Sequence, residues 1–256
     1  MNSKRSRLVK LLVIAIACFS LVFLLPQFPS FPTSPTSPSS KLPNLQPHPL
    51  PQSLAKAELQ NDAGDYFSQV KATAVGYLVW SKFPLKIYLE QPKSFSDSAG
   101  NLRFQQWVAA VREAITEWNN YLPLVETENS ELADILITRS QVDREIELDA
   151  ETGLYKIPRT ITAQTTYDFY LSSDTPPILS HQMKVQISPD LGKHATLATA
   201  RHELGHALGI WGHSDRETDA LYFSQVSDPP AISLRDINTL KKIYQQPTRL
   251  GWAIEN

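Results

Sequence analysis

Nine of the 19 prolines fall between Pro26 and Pro51, directly after an apolar run from Leu11 to Leu25. Proline removes a backbone donor and fixes φ, so a stretch this rich in it builds neither helix interior nor central strand. One globular domain filling all 256 residues is therefore excluded. The order reads as an N-terminal signal peptide or signal anchor over 1–25, a Pro/Ser/Thr-rich linker over 26–62 and one folded domain over 63–256. About 194 residues suffice for a single domain with a sizeable core.

Lys4, Arg5, Arg7 and Lys10 precede the apolar run, and no basic residue follows until Lys41. That asymmetry keeps an N-terminus cytoplasmic and places the remainder outside, anchored to the membrane or secreted. The run is nearer a signal-peptide core than a span of roughly 20 residues. Pro26 disfavours cleavage at its end, which favours an uncleaved anchor. The segment after it, with Pro-Thr-Ser-Pro-Thr-Ser-Pro, reads as an extended spacer. Without the four leader cations the chain holds 20 basic residues against 26 acidic ones, a charge of −6. With no basic stripe and no recognition motif, nucleic acid is not expected as a partner. The single cysteine, Cys18, lies in the leader, so a metal must be held by histidine and carboxylate, and a cysteine nucleophile is excluded.

Periodicity organises the domain. Leu85, Ile87 and Leu89 alternate with Lys86, Tyr88 and Glu90, predicting a half-buried strand. From Leu102 to Leu122 the period becomes helical, with Trp107, Val111, Ala114, Ile115, Trp118 and Leu122 on one stripe and Pro123 as the stop. Further strands are predicted through Ala133, Ile135 and Ile137; through Ile161, Ala163, Thr165, Tyr167 and Phe169; and through Met183, Val185 and Ile187, with a hairpin turn at Asp149–Gly153. Helices are predicted from Ala195 to Leu208 and from Leu234 to Tyr244, the latter opened by Ser233 and Asp236 at capping-box spacing. This order gives an α+β domain with a mixed sheet and three main helices.

The chemistry lies in His202-Glu203-Leu204-Gly205-His206, with Gly209 and His213 following. Residues four apart share a helix face, so His202 and His206 can address one ion. Glu203, about 100° around the helix, stands beside it. Gly209 can take the left-handed conformation that turns the chain back and brings His213 in. Three histidines with one open position describe a catalytic rather than a structural zinc site. Zinc acidifies water in the open position and polarises a carbonyl, while Glu203 takes the proton and hands it to the leaving amine. Gly205 costs about 1 kcal/mol mid-helix relative to alanine, so a close approach there is expected.

This stretch resembles the metzincin metallopeptidases, and within them the matrixins, whose signature is His-Glu-x-x-His-x-x-Gly-x-x-His. Thr196–Gly209 is similar to their active-site helix; Ala133-Asp134-Ile135 and Asp236-Ile237-Asn238 with Tyr244 echo their third strand and last helix. The resemblance implies a zincin fold with a twisted mixed sheet, one catalytic zinc held by His202, His206 and His213, and Glu203 as general base. The expected protein is a monomeric zinc endopeptidase acting on proteins or peptides bound as extended strands. Two departures stand out. His213 comes four residues after Gly209, one more than in the family, and Gly212 is expected to supply flexibility for the bulge; Asp215 or Asp219 is the substitute third ligand. Leu221, in Ala220-Leu221-Tyr222, occupies the place of the methionine that metzincins set beneath the metal, and the two side chains are close in volume. Tyr222 is expected to pack or to approach the site. His181 and His194 look isolated and are expected to be surface or satisfied polar residues. The competing reading is a non-catalytic, zinc-stabilised binding module on a membrane stalk.

Overall fold

The computed structural model describes residues 42–57, 61–93, 96–142, 147–148, 155–156, 161–224, 226 and 228–254. The leader, the first part of the spacer and the Asp149–Gly153 turn lie outside these residues. No helix among the described residues is long and apolar enough to cross a membrane.

The elements run α1 (Gln52–Lys56), β1 (Leu85–Leu89), α2 (Ala99–Asn119), β2 (Leu124–Glu126), β3 (Ile135–Arg139), β4 (Glu147–Leu148), β5 (Tyr155–Lys156), β6 (Ala163–Leu171), β7 (Leu179–Ile187), α3 (Lys193–Ala207) and α4 (Leu234–Tyr244). Five strands form one mixed sheet in the order β2-β1-β3-β7-β6. β1, β2, β3 and β7 are mutually parallel where they pair, and β6 runs antiparallel to β7 at the edge. β4 and β5 pair antiparallel by themselves, on either side of the predicted hairpin turn. The chain is thus α+β, as its pattern predicts.

Alternation decides which sheet face is covered. Leu85, Ile87 and Leu89 of β1 and Met183, Val185 and Ile187 of β7 are all buried, in one core with the α2 stripe of Trp107, Val111, Ala114, Ile115 and Trp118. α2 begins three residues earlier than its apolar stripe, because Ser98 caps it by accepting a hydrogen bond from the Asn101 amide. α3 packs across α2, joined to it by a bidentate pair of Arg201 with Glu117 at 2.6 and 2.7 Å. α4 has the predicted bounds, and both bonds of its capping box form. Tyr244 near its end donates to the carbonyl of Leu208, tying α4 to the end of α3.

The folded body reaches further toward the N-terminus than the expected start at residue 63. Leu54 is fully buried, Gln46 and Thr248 exchange two backbone hydrogen bonds, and His48 stacks on Trp252 at 4.3 Å. Lys241 donates to the carbonyls of Ala55 and Ala57. Three-residue β2 also goes beyond the predicted strands, held by its parallel register with β1.

Candidate metal centre

α3 presents His202 and His206 one turn apart. Each spends its Nδ1 on a backbone carbonyl: His202 on Ala220 at 2.9 Å, His206 on Ile210 at 2.7 Å. A carbonyl only accepts, so both Nδ1 atoms carry hydrogen and both Nε2 atoms carry lone pairs. Those two Nε2 atoms lie 3.1 Å apart. Burial holds both imidazoles neutral, pushing His202 down to about 4 and His206 to about 3. Two facing lone pairs without a proton between them repel, and a cation relieves the repulsion. Nitrogens bound to zinc at about 2.0–2.1 Å in tetrahedral directions stand about 3.3 Å apart, which this pair nearly matches.

The third imidazole arrives through the turn after α3. Gly209 has φ +123°, and a β-carbon there would meet the Leu78 carbonyl oxygen at 2.4 Å, so both conformation and space require glycine. The chain reverses, the Ile210 carbonyl returns to His206, and the His213 ring comes to 5.2 Å from His202 and 4.9 Å from His206. One ligand atom from each of the three histidines lies within 4.8 Å of the others. Asp215 and Asp219 do not join them. Asp215 pairs with Arg235 at 3.3 Å, and Asp219 is buried against Arg235 and Ser214. Gly212 serves differently from expectation: its φ is not positive, and its role is contact. A β-carbon there would stand 2.3 Å from the Gln69 carbonyl oxygen, and the Lys71 amide donates to the Trp211 carbonyl beside it.

Glu203 is buried beside the imidazoles, and burial pushes its carboxyl up to about 7. Thr165 of β6 opposes that rise by donating from Oγ1 to Oε2 at 2.6 Å. Thr165 has no role in the sequence reading. Its one signal there is a hydroxyl at the central position of the alternating set from Ile161 to Phe169, and it is the buried residue of that strand.

Beneath α3, Leu221 is fully buried against Gly205. The turn that carries it is fixed from α4: Asp236 accepts from the amides of Ala220 at 2.9 Å, Leu221 at 3.4 Å and Ser233 at 2.8 Å, and from the Tyr66 hydroxyl at 2.5 Å. The carbonyl of Ala220 orients His202, so Asp236, the capping-box partner of Ser233 in α4, reaches His202 through a single residue. Tyr222 packs against Phe223 at 4.5 Å.

The site lies where two clefts meet. One, of about 570 Å³, is lined by the three histidines, Trp211 and Lys71; the other, of about 630 Å³, by Thr199, Asp219, Tyr222 and Phe223. Both share His202, Glu203 and Ala163. His194 is exposed as expected. His181 is a correction: it is buried in the core, stacked on Trp80 at 3.7 Å, and its Nε2 has no hydrogen-bond partner among the described residues. No protein-family model matches the chain, and a search of curated proteins returns no match.

Proposed function

We propose that this chain is a zinc-dependent endopeptidase of metzincin type, similar to the matrixins, exported and tethered to the membrane by its N-terminal apolar run. The observation that carries this reading is the pair of lone-pair-bearing Nε2 atoms of His202 and His206, 3.1 Å apart, with His213 closing on them. Zinc bound there supplies an acidified water and a polarised substrate carbonyl.

The remaining work falls to the chain's own groups. Glu203 accepts the proton of the attacking water and returns it to the leaving amine. Because Thr165 occupies Oε2, Oε1 is the oxygen left for that exchange. A carboxyl raised toward neutrality by burial suits both halves of the task. β6 is the outer strand of the sheet, and its Ala163 lines both clefts, so a peptide lying extended along β6 would cross directly over Glu203. The Ala220 and Ile210 carbonyls hold the two imidazoles in the tautomer that ligation needs.

The test is zinc content and casein hydrolysis by the full chain and by Glu203→Ala. Wild type should bind zinc and cleave; the variant should bind zinc and not cleave. A zinc-loaded wild type that cleaves neither casein nor its peptides sinks the proposal.

A further inference from the structure

The three imidazoles are not held alike. His202 and His206 each spend Nδ1 on a backbone carbonyl, whereas the His213 ring is exposed and makes no hydrogen bond among the described residues. Its position is set by the chain on either side of it. Before it, Gly212 rests on the backbone of Gln69. After it stands Ser214, which is buried and fixed at three points: its amide donates to the Leu221 carbonyl at 2.8 Å, its Oγ donates to Asp219 Oδ2 at 2.5 Å, and the same Oγ accepts from the Arg216 amide at 3.1 Å.

The hold on that hydroxyl comes from α4. Asp219 is 1% exposed, and both donors to it converge on Oδ2: Ser214 Oγ, and Arg235 Nε at 2.9 Å. A carboxylate at that depth needs a partner charge, which Arg235 supplies, and the bond it accepts from Ser214 is charge-assisted. Arg235 also reaches Asp215 at 3.3 Å, but that side chain is 81% exposed and such a contact contributes little. Arg235 and Asp236 are neighbours in the first turn of α4. Asp236 reaches His202 through Ala220; Arg235 reaches the residue next to His213 through Asp219.

We propose that Asp219 and Arg235 are positioning residues for the third metal ligand, acting through Ser214. They fix the backbone that presents His213, a ring with no hydrogen bond of its own to orient it. The inference rests on the metal-centre half of the reading above and not on peptidase activity.

Cobalt(II) titrated into the metal-free full chain, followed by its visible absorption, reports affinity and ligand geometry without turnover. Ser214→Ala should weaken cobalt binding about tenfold, within the range carried by groups that orient a ligand. Arg235→Met together with Asp219→Asn removes both charges and leaves neither buried alone. That pair should weaken binding as much or more, and its absorption bands should move toward those of His213→Ala. Arg235→Lys, which keeps a cation on Asp219, should retain most of the wild-type affinity. In a His213→Ala background Ser214→Ala should cost nothing further, because the group being positioned is gone. An equal loss in both backgrounds, or no loss from Ser214→Ala in either, overturns the proposal whether or not the charge-pair variant folds. A wild type that binds no cobalt overturns the metal centre itself. One that binds cobalt with an affinity indifferent to Ser214→Ala leaves the centre standing and removes the positioning role alone.

Discussion

Leu221 lies so close to Gly205 that a β-carbon on the glycine would stand 2.5 Å from the leucine Cδ2. The helix that carries the histidines and the turn beneath it are therefore packed through a missing methyl group. Gly205→Ala raises intrinsic helix propensity by about 1 kcal/mol, but Leu221 is fully buried and has little room to give. Overpacking should win, with a net loss of about 1–3 kcal/mol. Adding Leu221→Ala should recover part of that loss in a double-mutant cycle measured by urea unfolding. Strictly additive losses would show that the contact is not shared.

Thr165 should tune Glu203. Its hydrogen bond favours the charged carboxylate, so Thr165→Val raises the carboxyl's pKa further. Glu203 acts as a base only when ionised. The acid limb of the pH–rate profile should then move to higher pH than in wild type, with kcat falling more than KM rises. An unmoved limb would separate Thr165 from the proton transfer.

Ligand identity is checked by metal stoichiometry. His213→Ala should weaken zinc binding by more than about 100-fold, because the proposed three-histidine site would lose one donor. Asp215→Asn should leave it unchanged, since Asp215 is engaged with Arg235. Zinc retained at full affinity in His213→Ala would return the third position to Asp215 or Asp219.

His181 should make the fold acid-sensitive. Its ordinary pKa of 6.5 is depressed to about 3 by burial. Above 6.5 it is neutral folded and unfolded, and its site is fully stable. Below 6.5 the unfolded chain takes up a proton that the folded chain refuses, so stability falls by up to about 1.4 kcal/mol per pH unit until about pH 3. His181→Phe, which keeps a ring on Trp80, should flatten that part of the slope. The measurement is the difference in urea midpoint between variant and wild type at pH 7 and at pH 4. An identical pH dependence for both would place the acid sensitivity elsewhere.

Local signals made much of this legible. The bounds of α4 coincide with expectation because Ser233 and Asp236 write the helix start into the chain. The closeness of His202 and His206 follows from their four-residue spacing, and the buried face of β7 from strict alternation. What escaped depends on the rest of the molecule. Thr165 reads as one polar residue in an edge strand until α3 sets Glu203 above it. His181 sits on the inward face of β7 and reads as isolated because its partner, Trp80, is a hundred residues away. Residues 42–57 carry the composition of a spacer, yet their burial comes from contacts with segments some 200 residues distant. Gly212 reads as a hinge, whereas the constraint on it is the backbone of Gln69 and Val70.

The pairing of Gln46 with Thr248 has a mechanical consequence. Tension applied from the N-terminal side meets first the buried Pro43, whose carbonyl accepts from Arg249, and then, at Gln46, two antiparallel backbone hydrogen bonds to Thr248, followed by His48 on Leu250 and Trp252, with Thr248 and Arg249 held in turn by Gly76 and Val75. None of these residues belongs to α3 or to the turn beneath it. Under the proposed tether, a pull from the N-terminal side would therefore load contacts outside α3 and the turn beneath it before it reached the three histidines.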